Sequence, residues 1–203
     1  MGETGVIKFN CNWIKEDPLE IKLITDLNAW RNKLFELGFI GVYENGIGYG
    51  NISLRFNQNQ FIISGTATGK FPKLNNEQYT IVTEYNLNKN SLTAQGPIIA
   101  SSESLTHAVI YESDKDCNAV IHVHHLGLWS KLLNSIPTTE KKIEYGTPAM
   151  AEEVKRLFKQ TDLQKQKILV MAGHEEGIIS FGKDLDEAGS ILMEKFKHNF
   201  KNI

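Results

Sequence analysis

Two clusters in this chain have residue types and spacing suited to chemistry: Ser101-Ser102-Glu103 and His122-Val123-His124, with His122 nineteen residues after Glu103. The serines stand where a helix should begin. The histidines close a run, Asn118-Ala119-Val120-Ile121, that reads as a buried strand. Side chains along a strand alternate between faces, so His122 and His124 share one. Two imidazoles on one face, joined by a carboxylate from a helix start, offer three ligands to one divalent metal. The bland alternative has one histidine in the core and one in solvent, each simply hydrogen-bonded, but a period of two puts both on one side. His125 points to the opposite face and reads as structural. His107, four residues beyond Glu103, shares its helical face and reads as a supporting or packing residue. His198 falls on a polar helix face and is given no role.

Glutamate in a first helical turn is favoured by the helix dipole for reasons unconnected with catalysis. Ser101 and Ser102 immediately before it change the reading. Two hydroxyls and the N–H groups of a helix start form a natural anion site. A phosphate there would lie beside a carboxylate able to move protons on the same substrate. Two other stretches fit an anion. Gly50-Asn51 follows several glycines, so the backbone can approach a ligand closely. Thr66-Ala67-Thr68-Gly69-Lys70 offers hydroxyls, N–H groups and one cation. Neither has the glycine spacing of a P-loop or a dinucleotide fingerprint.

The elements that must carry these residues follow from pattern. Asp17-Pro18 predicts a helix start, followed by Leu23, Ile24, Leu27, Trp30, Leu34 and Leu37 at helical spacing and stopped by Gly38. Residues 1–16 read as an irregular arm. Asn51–Phe56 and Phe61–Ile63 alternate like the arms of a hairpin, and Tyr79–Tyr85 reads as another strand. A helix is expected from Glu103 to about Glu112, then the histidine strand, then a short helix through Leu128 and Leu132. Thr147-Pro148 opens a further helix. Lys167–Met171 and Gly177–Phe181 read as a pair of strands. Asp184 with Glu187 resembles a capping box opening a last helix. This mixture predicts a single three-layer α/β/α domain over residues 18–203 with a largely antiparallel central sheet.

A length of 203 residues suits one well-filled domain. The formal net charge is −2 and no basic stripe is present, which argues against nucleic acid as a partner. Apolar runs are too short to span a membrane. The first five residues lack the pattern of a secretory signal. Cys11 and Cys117 are far apart and form no CxxC. A cytoplasmic, reduced protein is expected.

The stretches Gly50-Asn51-Ile52-Ser53, Thr66-Ala67-Thr68-Gly69, Ser101-Ser102-Glu103, Ala119-Val120-Ile121-His122-Val123-His124 and Gly177-Ile178-Ile179-Ser180-Phe181-Gly182 resemble, in order and near-spacing, the class II aldolase/adducin family. The resemblance covers roughly residues 20–195. It implies a lyase dependent on Zn2+ or another divalent metal such as Mn2+. In that scheme His122 and His124 are metal ligands. Glu103 binds metal at rest and moves a proton in turnover, and Gly50, Asn51, Thr68, Gly69, Ser101 and Ser102 cradle a phosphate. The implied reaction cleaves the C3–C4 bond of a ketose 1-phosphate to dihydroxyacetone phosphate and an aldehyde, a divalent cation stabilising the enediolate in place of a Schiff base. The resemblance extends to sugar-phosphate 4-epimerases, methylthioribulose-phosphate dehydratases and the non-catalytic adducin branch. It also implies a homotetramer with the site at a subunit boundary.

One departure bears on the ligand set. The family's third zinc histidine directly precedes the glycine of the last strand motif, and here that position is Glu176, in Gly173-His174-Glu175-Glu176-Gly177. His174, displaced by a local bulge, is the favoured third ligand, with Glu176 the alternative. The catalytic tyrosine in the tail of the aldolases has no clear match, and Tyr145 or Tyr49 are its possible substitutes.

Overall fold

A computed structural model of the chain describes residues 7–200. Residues 1–6, which carry the reading of a signal-free N-terminus, and 201–203 lie outside it. Strand β1 spans Asn10–Lys15 and helix α1 Thr25–Glu36. A short hairpin, β2 (Gly41–Val42) and β3 (Gly48–Tyr49), leads into β4 (Asn51–Asn57), β5 (Gln60–Ser64), β6 (Tyr79–Asn86) and β7 (Ser91–Gly96). Helix α2 (Ser104–Ser113), β8 (Ala119–His124) and α3 (Leu126–Leu132) follow. The chain continues through α4 (Pro148–Gln160), α5 (Leu163–Gln166), β9 (Ile168–Val170), β10 (Gly177–Gly182) and α6 (Leu185–Asn199). No helix among the described residues is long and apolar enough to cross a membrane.

The main sheet has eight strands in the order β1-β7-β6-β5-β4-β8-β10-β9. It is mixed, which corrects the expectation of a largely antiparallel sheet. The cause is β1, which runs parallel to β7 from Asn10↔Ser91 to Lys15↔Gly96, while β8 pairs antiparallel with both β4 and β10. The same strand corrects the reading of an irregular arm. Asn10–Lys15 lies at the sheet edge with nearly every side chain exposed, so the strand has no hydrophobic alternation for a pattern to detect. Its partner β7 hides for a related reason: its inward residues are Leu92, Ala94 and Gly96, and the last two are too small to register as a strand face.

Burial also decides where α1 starts. Asp17 and Pro18 lie exposed in extended chain, and a single 3₁₀ turn at Ile21–Leu23 precedes the helix, which begins at Thr25. Helix formation draws most of its stability from packing an apolar face, and the first residues of this segment to reach the core are Ile24 and Leu27. At the other end Gly38 takes φ +73°, as the expected stop requires. The two later caps form as read. The Thr147 hydroxyl accepts from the Met150 N–H, and Asp184 accepts from the Glu187 N–H at 2.7 Å. The return bond of a capping box is diverted, because the Glu187 carboxylate accepts from the Lys183 N–H and from Lys167.

Apolar clusters cover both faces of the sheet. Val120, Ile179 and Phe181 pack with Leu105 and Val109 of α2 and Val154 and Leu157 of α4. Ile121, Val123 and Ile178 pack with Leu27 and Leu34 of α1, Leu128 of α3 and Leu192 of α6. Alternation along β8 therefore places His122 and His124 on the Val120 face, the one that α2 covers.

Candidate metal and anion site

The C-terminal end of β8 meets the N-terminal end of α2 at one mouth of the sheet, and a cavity of about 350 Å³ opens there. Its wall contains every site residue expected from the sequence: Gly50, Asn51, Thr68, Gly69, Ser101, Ser102, Glu103, His122, His124 and His174. Tyr49 and Tyr145, the two candidate substitutes for a tail tyrosine, also line it.

His122, His124 and His174 are all buried, and they offer ring nitrogens that lie within 4.8 Å of one another. The His124 and His174 Nε2 atoms are 2.9 Å apart, so between them they share one proton or one cation. His174 reaches the cluster from the turn between β9 and β10, where Glu176 adopts a left-handed φ of +69°. This turn corrects the expected strand bulge. It carries the His174 ring over Gly177, which pairs with His124 in the sheet. A Cβ on Gly177 would sit 2.7 Å from His174 Cδ2 and 2.9 Å from the His174 carbonyl oxygen. Gly177→Ala is therefore expected to dislodge the third imidazole and to weaken Zn2+ binding by at least about tenfold, the effect of losing ligand orientation. Chelator competition on the variant measures this.

Burial lowers the proton affinity of all three rings. It holds His122 and His124 well below the usual histidine value, with mutual repulsion adding to the effect, and brings His174 down to about 4. At neutral pH the cluster is thus three uncharged imidazoles with lone pairs to give. The second nitrogens are tied from behind. His122 Nδ1 lies 3.2 Å from the Asn51 side-chain amide, which β4 supplies through the Asn51↔His122 register. His124 Nδ1 lies 2.8 Å from the Tyr43 hydroxyl.

Glu103 occupies the N-cap of α2 and is 2 % exposed. Burial raises its pKa to about 7, with the Thr106 hydroxyl donating to Oε2 at 2.8 Å as a smaller opposing influence. A carboxyl poised there can both accept and release a proton at neutral pH. Two buried polar atoms facing this centre, His122 Nε2 and Glu103 Oε1, have no hydrogen-bond partner among the described residues. Three imidazoles whose nitrogens lie within 4.8 Å of one another, one of them with an unsatisfied lone pair, form a donor set that fits Zn2+ or a similar divalent cation, while the Glu103 carboxylate lines the same cavity outside that group.

The side expected to hold an anion is built from backbone. Gly69 packs against the β2–β3 hairpin so closely that a Cβ would meet the Gly41 carbonyl at 2.0 Å. Arg31, which the sequence reading passed over, holds this loop from inside. It is 1 % exposed and donates to the Thr68 carbonyl at 3.1 Å and the Pro72 carbonyl at 2.9 Å. Among the described residues no carboxylate pairs with it, so its charge stands beneath the loop. Its only sequence signal was a cation on the otherwise apolar stripe of α1. On the opposite wall Ser101 precedes α2, its Oγ accepting from the N–H of Glu103 at 3.4 Å.

The remaining histidines behave as read. The His107 ring lies behind the site, its Nδ1 2.7 Å from Ser53 Oγ, and burial lowers its pKa to about 3. His125 caps α3 by accepting from the Leu128 N–H. Glu176, the alternative third ligand, does not join the imidazoles. Its carboxylate lies 4.0 Å from His124 Nδ1, on the far side of that ring from the cluster.

Comparison with known proteins agrees with this architecture. The model of the class II aldolase and adducin N-terminal domain matches residues 44–197. Among solved structures, L-fuculose 1-phosphate aldolase aligns with a TM-score of 0.67 at 18 % identity, over 91 % of this chain and 85 % of that one. Sugar-phosphate aldolase from Thermotoga maritima aligns with a TM-score of 0.67 at 15 % identity, over 88 % and 92 % of the two chains. YgbL from Klebsiella pneumoniae, described only by the alternatives aldolase/epimerase/decarboxylase, aligns with a TM-score of 0.64 at 17 % identity, over 90 % and 88 %. No curated protein sequence matches the chain. The structural likenesses fix the fold, and the family match spans most of the chain: the protein belongs to the class II aldolase and adducin family.

Proposed function

We propose that this protein is a divalent-metal-dependent aldolase that cleaves a phosphorylated ketose to dihydroxyacetone phosphate and an aldehyde. The observation carrying this reading is the convergence of three neutral imidazoles and a buried, half-titrated glutamate on one cavity whose other wall is a glycine- and hydroxyl-rich loop. His122, His124 and His174 would hold the cation, with Glu103 as a further ligand at rest. When bound, the metal would supply a Lewis acid that stabilises the negative charge developing on the ketose.

The protein's own groups do the rest. Gly50, Asn51, Thr68, Gly69, Ser101 and Ser102 fix the phosphate and so set the ketose carbons against Glu103. Glu103 takes the proton of the C4 hydroxyl. The C3–C4 bond breaks as the C4–O pair becomes the aldehyde carbonyl, and the bonding pair withdraws toward C2. Glu103 then delivers its proton to C3, leaving dihydroxyacetone phosphate and a carboxylate ready for the next turn. Tyr49 and Tyr145, both on the cavity wall, are the candidates for a second proton donor at the departing aldehyde. A cytoplasmic homotetramer, as in the resemblance, completes the proposal.

Incubating the purified protein with Zn2+ or Mn2+ and a panel of ketose 1-phosphates is expected to release triose phosphate, with loss of activity on chelation. No triose phosphate from any of them would sink the aldolase reading. NMR of the products distinguishes cleavage from 4-epimerisation and dehydration at the same site.

A further inference from the structure

The residue where the family resemblance leads one to expect a histidine ligand has a different position in this chain. Glu176 is turned away from the cluster by its left-handed backbone, and its carbonyl is pinned by the His125 N–H at 3.1 Å. Its carboxylate accepts a hydrogen bond from the Tyr43 hydroxyl at 2.7 Å. The same hydroxyl lies 2.8 Å from His124 Nδ1. Tyr43 is delivered by a tight turn of the β2–β3 hairpin, in which its N–H bonds to the Ile47 carbonyl and its carbonyl accepts from the Gly46 N–H, both at 2.9 Å. The ring of Tyr49, 4.5 Å from that of Tyr43 and 5.5 Å from that of His124, fills the remaining space.

One proton arrangement satisfies all three groups. A carboxylate only accepts, so the single Tyr43 proton goes to Glu176. The Tyr43 oxygen can then only accept from His124, which must carry its proton on Nδ1 and keep its lone pair on Nε2. That nitrogen is the one 2.9 Å from His174 Nε2. Resting on the reading of the three histidines as a metal centre, we propose that Glu176 and Tyr43 are positioning residues that act through His124, holding its imidazole in the tautomer and orientation that present Nε2 to a divalent cation. Glu176 thus serves the centre from behind a ligand rather than as one. The negative charge relayed through the hydroxyl makes His124 a more basic donor, as carboxylates behind metal-binding histidines do.

The test is Zn2+ affinity by chelator competition, and the visible absorption of the Co2+-loaded protein, for wild type, Tyr43→Phe, Glu176→Gln and Glu176→Ala. Tyr43→Phe removes one oxygen and keeps the ring packing, and is expected to weaken Zn2+ binding by about 10–100-fold and to shift the Co2+ bands. Glu176→Gln accepts the same hydrogen bond without the charge, and is expected to fall between wild type and Glu176→Ala. Affinities of Tyr43→Phe and Glu176→Ala within about twofold of wild type, with unchanged Co2+ bands, would overturn the inference while leaving the metal centre intact. A wild-type protein that takes up neither metal would instead remove the reading on which it rests. Thermal unfolding of the metal-free variants, expected to match wild type for Tyr43→Phe, separates a lost fold from a lost ligand orientation.

Discussion

Alanine at His122 or His124 is expected to abolish metal uptake and to lower activity by at least about 10³-fold. The cluster has three imidazoles and no surplus. Deleting one leaves two nitrogens with the Glu103 carboxylate as the remaining donor, too few strong ligands to hold the ion tightly. A Lewis acid of this kind contributes several kcal/mol at the transition state, and each 1.36 kcal/mol is a factor of ten in rate. Elemental analysis of protein purified without a histidine tag, paired with the triose phosphate assay, checks both halves. Stoichiometric zinc in either variant would contradict the site as assigned. His125→Ala is the matched control. It sits beside the same cluster but caps α3, so it is expected to lower the melting temperature without altering metal content.

Glu103→Gln is expected to have opposite effects on activity and on metal-free stability. Activity should fall by about 10²–10⁴-fold, the usual contribution of a positioned acid–base group. The metal-free protein should become more stable at alkaline pH. Burial raises the Glu103 pKa from 4.5 to about 7, so its protonated form is the one the fold prefers. The stability tied to that preference is complete below pH 4.5, declines between pH 4.5 and 7, and is gone above it. At pH 8 wild type therefore carries a buried carboxylate, whereas glutamine stays neutral and still accepts the Thr106 hydrogen bond. An advantage of about 3 kcal/mol for the variant at pH 8, vanishing near pH 4.5, follows from the size of the shift. The buried histidines act in the opposite sense, destabilising the fold as pH drops below their ordinary value, but they are common to both proteins and cancel in the comparison. Denaturant unfolding in the presence of a chelator at the two pH values measures the difference. Equal stability at pH 8 would mean that Glu103 is not the desolvated acid–base group described here.

These two results would bear on different parts of the centre. The histidine variants test whether a cation is held. The glutamate variant tests whether the residue beside it is a buried acid–base group whose ionisation the fold opposes, a cost that folding alone gives no reason to retain.

Much of this centre was legible in the sequence because its signals are local. A period of two along Ala119–His124 is enough to put His122 and His124 on one face, since a strand offers only two. Thr147-Pro148 and Asp184 cap their helices through groups three residues away. Gly50, Asn51, Thr68, Gly69 and the serines were recognisable as backbone-rich, hydroxyl-rich turns. Such features depend on neighbours along the chain, so the chain records them.

The tertiary structure alone decided which remote segments meet. Asn10–Lys15 became a strand because β7 offered a free edge, and nothing in its exposed side chains announces that. Helix α1 waited for the first residues able to reach the core, so a good capping sequence at Asp17-Pro18 stayed extended. His174 rather than Glu176 reached the imidazoles because a left-handed turn, set by the closure of β9 onto β10, rotates the two side chains apart by an amount no periodicity predicts. Tyr43 and Arg31 were invisible as site residues for the same reason. Their roles come from hydrogen bonds to groups 133 and 37 positions away, and contacts at such separation exist only once the sheet has brought both ends together.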